Sequence, residues 1–342
     1  MRPFEYLTAR EAPDAIAAVS EIATRADLSH ENATVQFLAG GTTLLDLMKL
    51  DVMRPECIVD INPLADGDLG RMSVSEHGLR LGALVRMSDA AEHPEIKRNY
   101  PVLSQSLLLA ASPQLRNMAT LGGNLLQRTR CSYFRDISYE ACNKRRPGSG
   151  CAAMNGFNRN HAILGGSEAC IASYPGDFAQ ALLALDAKIE VLGPNGPRSI
   201  PFAQLHKRPE STPEVETLLA PGELIAAIEV PTGASTKRSL YLKIRDRESY
   251  EFALASAAVA MDRQDGIVRH IRIALGGVAT VPWRAREAEM ILTGSVLDEA
   301  SAGRAADAAF TGARPRLHNA FKVALGKETL IRALLEVAKL ED

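Results

Sequence analysis

Residues 34 to 49 read Thr34-Val-Gln-Phe-Leu-Ala-Gly-Gly-Thr-Thr-Leu-Leu-Asp-Leu-Met-Lys49. The run from Thr34 to Leu38 is short, apolar and rich in β-forming residues, which predicts a strand. The leucines after Thr43 recur at helical spacing. The pair Gly40-Gly41 therefore lies between a strand and a helix, where glycine lets the backbone approach a ligand closely.

A second glycine pair occurs much later, in Thr120-Leu-Gly-Gly-Asn124. Backbone N–H groups beside threonine hydroxyls form a nest for phosphate oxygens, and a helix that starts after the first loop favours an anion there. A dinucleotide pyrophosphate is a suitable ligand for such a pair of loops. Neither loop matches the Gly-x-Gly-x-x-Gly of a nicotinamide fold or a P-loop, so a plain turn is the alternative for each.

Four of the five cysteines are close together in the chain: Cys131, Cys142, Cys151 and Cys170. Four thiolates are the usual ligands of a 4Fe-4S cluster, and they also suit a structural zinc ion. Zinc sites usually take two ligands from one Cys-x-x-Cys turn, and none is present. The wide spacing favours an iron–sulfur cluster, with zinc and four unrelated buried thiols as alternatives. Cys57 stands apart and is expected as a small buried side chain.

Six positive side chains lie among these cysteines. Since four thiolates around a 4Fe-4S core carry a net negative charge, we expect nearby cations to stabilise it. The cations are Arg128, Arg130, Arg135, Lys144, Arg145 and Arg146.

Composition excludes some classes of protein. The 342 residues are 46% apolar and 23% charged, with a formal net charge of -2, which is ordinary for a globular protein of about two domains and gives no basic field for nucleic acid. No apolar run approaches the roughly 20 residues that cross a bilayer, so no membrane insertion is expected. The segment from Met1 to Tyr6 does not resemble a signal peptide.

Taken together, the motifs resemble those of a known family. Ala39 to Lys49, Thr120 to Leu125, and Pro175-Gly-Asp-Phe178 are similar to segments in the FAD subunits of the xanthine dehydrogenase and carbon monoxide dehydrogenase (molybdenum hydroxylase) family. In that family the second glycine loop runs almost directly into the segment with the aspartate. Here residues 127–170, called the cysteine insertion below, intervene and contain all four clustered cysteines.

The sequence of the cysteine insertion resembles that of only part of this family. Cys131-Ser-Tyr-Phe-Arg-Asp136 and Cys142-Asn-Lys-Arg-Arg-Pro-Gly-Ser-Gly-Cys151 resemble the insertion in the FAD and 4Fe-4S subunits of bacterial periplasmic aldehyde oxidoreductases. The resemblance covers nearly the whole chain. It implies an α+β fold with a two-lobed FAD-binding domain of the vanillyl-alcohol-oxidase/CO-dehydrogenase-flavoprotein type over residues 1–225. A small C-terminal α+β domain with an antiparallel sheet would occupy residues 226–342.

The resemblance also implies ligand residues. The first loop would hold the FAD pyrophosphate with Leu38, Ala39, Gly40, Gly41, Thr42, Thr43, Leu44 and Leu45. The second would line the other half of the cofactor with Thr120, Gly122, Gly123 and Asn124. The 4Fe-4S cluster would be bound by Cys131, Cys142, Cys151 and Cys170.

Three further residues would contact FAD if the resemblance holds. Asp177 would accept hydrogen bonds from ribityl or ribose hydroxyls, Ile225 would pack near the flavin, and Lys243 would approach it from the C-terminal domain. The ordinary alternatives are a helix N-cap for Asp177, a core residue for Ile225 and a solvated strand lysine for Lys243. Some relatives place an aromatic residue against the flavin near position 110, where this chain has Ala110.

The function that the resemblance implies is electron transfer, with no catalytic residue on this chain. A large partner with a molybdenum cofactor would oxidise an aldehyde, and a small partner with 2Fe-2S clusters would pass the electrons to FAD here and on to an external acceptor. A molybdenum hydroxylase of the xanthine dehydrogenase or 4-hydroxybenzoyl-CoA reductase type is the alternative. A free-standing flavin oxidase and a zinc-stabilised binding module are alternatives of other classes. Co-export with a partner would place the protein in the periplasm, and otherwise it would be cytoplasmic.

Overall fold

The computed structural model describes residues 1–23 and 34–340. The strands are β1 Glu5–Thr8, β2 Val35–Leu38, β3 Cys57–Asp60, β4 Met72–Ser75, β5 Gly78–Gly82, β6 Lys188–Gly193, β7 Gly196–Pro201, β8 Leu224–Pro231, β9 Ser239–Ile244, β10 Ala255–Gln264, β11 Ile267–Gly276 and β12 Trp283–Arg284. The helices are α1 Ala12–Ala23, α2 Leu44–Lys49, α3 Met87–Glu92, α4 Pro94–Asn99, α5 Pro101–Leu108, α6 Pro113–Met118, α7 Leu121–Leu125, α8 Ser132–Arg135, α9 Phe178–Ala184, α10 Phe202–Leu205, α11 Ala234–Lys237, α12 Arg286–Leu292, α13 Glu299–Ala309 and α14 Phe321–Ala338. Two short 3-10 helices span Asn62–Asp66 and Asp68–Gly70.

The first lobe is a three-stranded parallel sheet in the order β1-β3-β2. Its central strand, β3, is buried on both faces, as is usual for parallel strands; Ile58 and Val59 are at most 1% exposed. Cys57 begins this strand and is buried, which confirms its prediction as a small core residue. Strand β2 leads through the first glycine pair into α2, so the strand–loop–helix prediction for residues 34–49 is confirmed.

The second lobe is a five-stranded antiparallel sheet in the order β4-β5-β8-β6-β7. Helices α3, α5 and α9 share one large apolar core with this sheet, and α5 and α9 contact strands β9, β10 and β11. Strand β8 spans the domain boundary that the sequence analysis puts between residues 225 and 226, and it pairs with β5 and β6 of this lobe. The chain therefore leaves the second lobe after Pro231.

The C-terminal part is a four-stranded antiparallel sheet, β12-β11-β10-β9, with α12, α13 and α14 packed on it. The α+β class and the antiparallel C-terminal sheet are thus confirmed. The last helix, α14, begins at Phe321. Its first turn contains Lys322, a charged residue that interrupts the apolar pattern of the sequence. The Lys322 side chain is nevertheless buried, and its ammonium donates to the carbonyl of Gly277 (2.7 Å).

The cysteine insertion contains one short helix, α8, and otherwise turns and extended chain. It packs against the first lobe: Phe134 and Cys142 share an apolar cluster with Leu44 and Leu47 of α2. None of the helices in the described ranges is long and apolar enough to span a bilayer.

Candidate cofactor sites

The two glycine loops meet between the lobes. A Cβ atom on Gly40 would lie 2.1 Å from the carbonyl oxygen of Met118, just before the second loop, so only glycine allows this approach. A backbone hydrogen bond holds the second loop: the N–H of Gly122 donates to the carbonyl oxygen of Ala83 (2.8 Å). The hydroxyl of Thr120 caps α7 by accepting from the N–H of Gly123 (3.3 Å).

A cleft opens where these loops meet, and we call it the interlobe cleft. One wall is the first loop from Ala39 to Leu44, and the floor carries Thr120, Gly122 and Gly123. The opposite wall is formed by residues 216–225 and ends at Ile225 on β8. The structure therefore brings together most of the predicted FAD residues. Ile225 is both a core residue and part of this wall.

The polar groups of the cleft suit an anionic dinucleotide. Among the described residues, no acceptor is found for the backbone N–H groups of Gly40, Gly41, Thr42 and Thr43. The side-chain oxygen of Asn124 is buried and has no partner in the same part of the chain, but Asn124 does not line the cleft. The half-buried N–H groups of the first loop fit the phosphate oxygens of FAD.

Leu38 and Leu45 lie on the other side of the first loop. Both pack into the apolar cluster that also contains Cys131 and Cys142, and neither lines the interlobe cleft. The first loop thus separates the interlobe cleft from the cysteine insertion. Its backbone lines the cleft, and the side chains of Leu38 and Leu45 pack toward the insertion.

Asp177 and Lys243 form an ion pair with each other. The ammonium of Lys243 lies 2.8 Å from one carboxylate oxygen, and the hydroxyl of Tyr241 donates to the other (2.6 Å). Lys243 is only 1% exposed, so the alternative of a solvated lysine is wrong. Asp177 stands at the N-cap position of α9, but its side chain makes no capping hydrogen bond.

This ion pair joins the second lobe to β9. Lys243 also donates to the carbonyl of Leu109 (3.0 Å), beside Ala110. Burial raises the pKa of Asp177, and the ammonium of Lys243 opposes that rise. Neither residue lines the interlobe cleft, so direct contact with FAD stays a prediction for both.

The four clustered cysteines form no disulfide, and the fold brings them into one region. Cys142 and Cys151 face each other in an isolated antiparallel bridge. Burial, with a smaller contribution from the neighbouring thiols, raises the pKa of Cys131 to about 12 and that of Cys170 to about 11. Within the described residues no three His, Cys, Asp or Glu side chains are arranged to hold a single metal ion.

Two contacts reach the sulfur atoms from outside the quartet. The imidazole Nε2 of His161 lies 3.1 Å from the sulfur of Cys131, and the N–H of Ala172 donates to the sulfur of Cys170 (3.4 Å). The sequence carries no signal for His161, because its spacing from the other histidines forms no metal-ligand pattern.

The cations of the cysteine insertion are mostly engaged by oxygen acceptors. Asp46 on α2 pairs with Arg130 (3.1 Å) and Arg135 (2.8 Å), while Arg145 donates to backbone carbonyls within the insertion. These arginines therefore hold the insertion together and fix it to the first lobe. The expectation that the positive charges mainly surround the thiolates missed this role.

The third acceptor of these cations is Glu216, which the sequence did not single out. Its carboxylate lies 2.7 Å from Nε of Arg128 and 2.6 Å from Nζ of Lys144. Both cations are buried, and they lower the pKa of Glu216 to about 2 against the opposing effect of burial. Arg128 and Glu216 line the interlobe cleft, and Arg128 and Lys144 both belong to the cysteine insertion. This Arg128–Glu216–Lys144 triad connects the two sites.

Comparisons with known proteins agree with this geometry. The family described as the FAD binding domain in molybdopterin dehydrogenase matches residues 2–233, and the CO dehydrogenase flavoprotein C-terminal domain matches residues 240–337. The aldehyde oxidoreductase FAD-binding subunit PaoB of Escherichia coli is 49% identical over 303 residues, which cover 88% of this chain and 91% of that protein. The carbon monoxide dehydrogenase medium chain of Hydrogenophaga pseudoflava is 27% identical over 338 residues, 97% and 96% of the two chains.

A comparison with solved structures also finds a carbon monoxide dehydrogenase. Carbon monoxide dehydrogenase from Hydrogenophaga pseudoflava superposes with a TM-score of 0.74 at 26% identity, over 98% of this chain and 97% of that chain. The two matched family segments meet between residues 233 and 240, where the chain passes from β8 of the second lobe to β9 of the C-terminal sheet.

Proposed function

The chain belongs to the family of FAD-binding subunits of molybdopterin dehydrogenases, and on that premise we propose that it is the electron-transfer subunit of a molybdenum-containing aldehyde oxidoreductase. FAD binds in the interlobe cleft, and a 4Fe-4S cluster binds to Cys131, Cys142, Cys151 and Cys170. The partners are a large subunit with the molybdenum cofactor and a small subunit with 2Fe-2S clusters. The compartment follows from that of the partners, and the periplasm is favoured through co-export.

The observation that supports FAD binding best is the meeting of the two glycine loops. In the first loop, the backbone N–H groups of Gly40, Gly41, Thr42 and Thr43 have no acceptor within the described chain and adjoin the cleft. Bound there, FAD supplies the chemistry that exchanges electron pairs for single electrons. The chain's own part is to neutralise the pyrophosphate with backbone dipoles and to shield the cofactor between β8 and the loops.

The cluster assignment is supported by the convergence of four free thiols in one loop unit. All four lie in the cysteine insertion, and the N–H of Ala172 donates to one of their sulfur atoms, a contact of the kind that sets cluster potentials. The similarity to a subunit named for aldehyde oxidoreductase favours an aldehyde substrate. The substrate pocket would belong to the large partner.

Cofactor analysis of the purified full-length chain, made with ample iron and riboflavin, tests this proposal. We expect one FAD and about four iron and four sulfide per chain, with flavin absorbance above a broad iron–sulfur shoulder. Protein that contains neither flavin nor acid-labile sulfide would contradict the proposal, and a stoichiometric zinc ion without iron would favour the zinc alternative.

A matched pair of variants tests the ligand set. Cys142→Ala removes a proposed ligand, so the iron and sulfide content and the cluster's EPR signal after reduction should fall to background. Cys57→Ala alters a buried cysteine on β3, outside the insertion, and should keep the full cluster. Full iron in Cys142→Ala would refute the assignment of Cys142.

A further inference from the structure

A second cavity, outside the interlobe cleft, lies where the end of the cysteine insertion meets the C-terminal domain. Its volume is about 240 Å³. Four parts of the chain form its walls: residues 162–171, Arg208, Trp283 and residues 312–316. The first of these is fixed to the C-terminal sheet, because the N–H groups of residues 163 and 164 both donate to the carbonyl of Val278 (2.8 and 3.0 Å). The cavity is thus part of the folded structure.

Part of the cavity lining is apolar. It includes Trp283 and the buried residues Ile163 and Ile171. A Cβ on Gly165 would lie 2.9 Å from the indole, so glycine lets the loop lie against the ring edge. The hydroxyl of Thr280 donates to the carbonyl of Gly165 (2.8 Å) and holds the loop in that position. Indole rings favour stacking against flat groups.

Positive charge borders this apolar surface. The guanidinium of Arg208 stacks over the indole of Trp283, 4.8 Å from the ring centroid. Arg314 and Arg316 lie on the lining too. Arg316 pairs with Glu168, an exposed carboxylate that also lines the cavity (3.1 Å). Across the residues that the structure describes, neither Arg208 nor Arg314, both exposed, has a carboxylate partner. Guanidinium groups bind carboxylates with two parallel hydrogen bonds.

We propose that this cavity binds a small aromatic carboxylate, with its ring on the apolar side formed by Trp283 and its carboxylate paired with Arg208 and Arg314. The apolar surface selects a ring, and the arginines select a negative charge. Inorganic phosphate would satisfy only the charge, and benzyl alcohol would satisfy only the ring. This site does not depend on the electron-transfer function proposed above.

The test uses Trp283 itself, since it is the only tryptophan of the chain. Fluorescence of the purified, cofactor-loaded full-length protein, excited at the red edge of tryptophan absorption, therefore reports on this cavity. Titration with sodium benzoate at constant ionic strength should give a saturable change. Benzyl alcohol and inorganic phosphate should each bind at least tenfold more weakly. Calorimetry with benzoate gives the same affinity without depending on fluorescence.

Matched arginine variants locate the site. Arg208→Gln and Arg314→Gln each remove a charged hydrogen-bond donor, so benzoate affinity should fall about tenfold or more. Arg332→Gln, on an exposed part of α14 where Arg332 pairs with Glu336 (2.7 Å), should bind benzoate like the unaltered protein. The proposal is overturned if benzoate gives neither signal nor heat, if phosphate or benzyl alcohol binds as tightly, or if all three variants bind alike.

Discussion

The interlobe cleft and the cysteine insertion are neighbours, but the fold holds them in place by different means. The cleft is built by backbone: glycine loops between regular elements, with contacts such as Gly40 against Met118. The insertion has almost no regular structure, and in addition to its apolar and backbone contacts it is fixed by charged side chains, through Asp46 to the first lobe and through Glu216 to the edge of the cleft. The cleft should therefore be disrupted by a substitution that adds an atom to a close backbone contact. The attachment of the insertion should be weakened by a substitution that removes one charge of an ion pair.

The largest effect is expected for Glu216→Gln, because Glu216 belongs to both regions. The change deprives two buried cations, Arg128 and Lys144, of their shared carboxylate. Leaving buried charges without their partner should lower the free energy of unfolding by about 3 kcal/mol. Urea denaturation measures this loss, and FAD and iron contents should fall together. Glu336→Gln, which breaks an exposed pair with Arg332, should cost less than about 1 kcal/mol; equal losses in the two variants would contradict a buried triad.

The same triad should make the protein sensitive to acid. The pKa of Glu216 is lowered from 4.5 to about 2 in the folded chain, so its contribution is present above about pH 4.5 and is lost as the pH falls toward 2. By linkage a lowering of this size corresponds to at most about 3 kcal/mol, and solvent reduces it because the Glu216 side chain is 27% exposed. Denaturation midpoints measured between pH 5 and pH 2.5 should fall more steeply in the unaltered protein than in Glu216→Gln. Parallel curves would show that another group carries the acid sensitivity.

Gly40→Ala acts on the cleft alone. Its new methyl group would overlap the carbonyl of Met118, so the loops must separate, at a cost of about 2 kcal/mol. Equilibrium dialysis should show weaker FAD binding, while the iron content stays unchanged. Gly303→Ala is the control: nothing lies within 4 Å of a Cβ at that position of α13, and alanine there should stabilise the helix by roughly 1 kcal/mol. Normal FAD affinity in Gly40→Ala would show that the loop contact does not shape the cleft.

The contrast between the two regions also explains what the sequence could predict. Residues 34–49 carry a strand period, a glycine pair and a helix period, all local signals, and the structure has each of them. Helix α13 escaped prediction because its alanine-rich stretch gives little contrast between its faces, although Asp298 and Ser301 form a capping box at its start.

Long-range ion pairs leave no periodic signal in a sequence. Lys144 and Arg128 were recognised only as charges near cysteines, and their shared partner Glu216 lies far along the chain, in a loop without a motif. Asp177 and Lys243 were singled out by resemblance as two separate cofactor contacts, yet nothing in the sequence indicated that they pair with each other. Motifs built on local backbone are predictable, and side-chain charge networks require the folded chain.

The smallest effect, and the sharpest separation of the two regions, is expected for Asp46→Asn. Asp46 pairs with Arg130 and Arg135 of the cysteine insertion, but its side chain is 36% exposed, so solvent weakens the pairs and the loss should be about 1 kcal/mol. The insertion should then open more often, and a chelator should remove iron faster while FAD is retained. Asp51→Asn is the matched control, since Asp51 has similar exposure and pairs with two arginines outside the insertion, Arg2 and Arg54. If both variants lose iron at the same rate, the ion pairs of Asp46 with Arg130 and Arg135 do not hold the insertion closed.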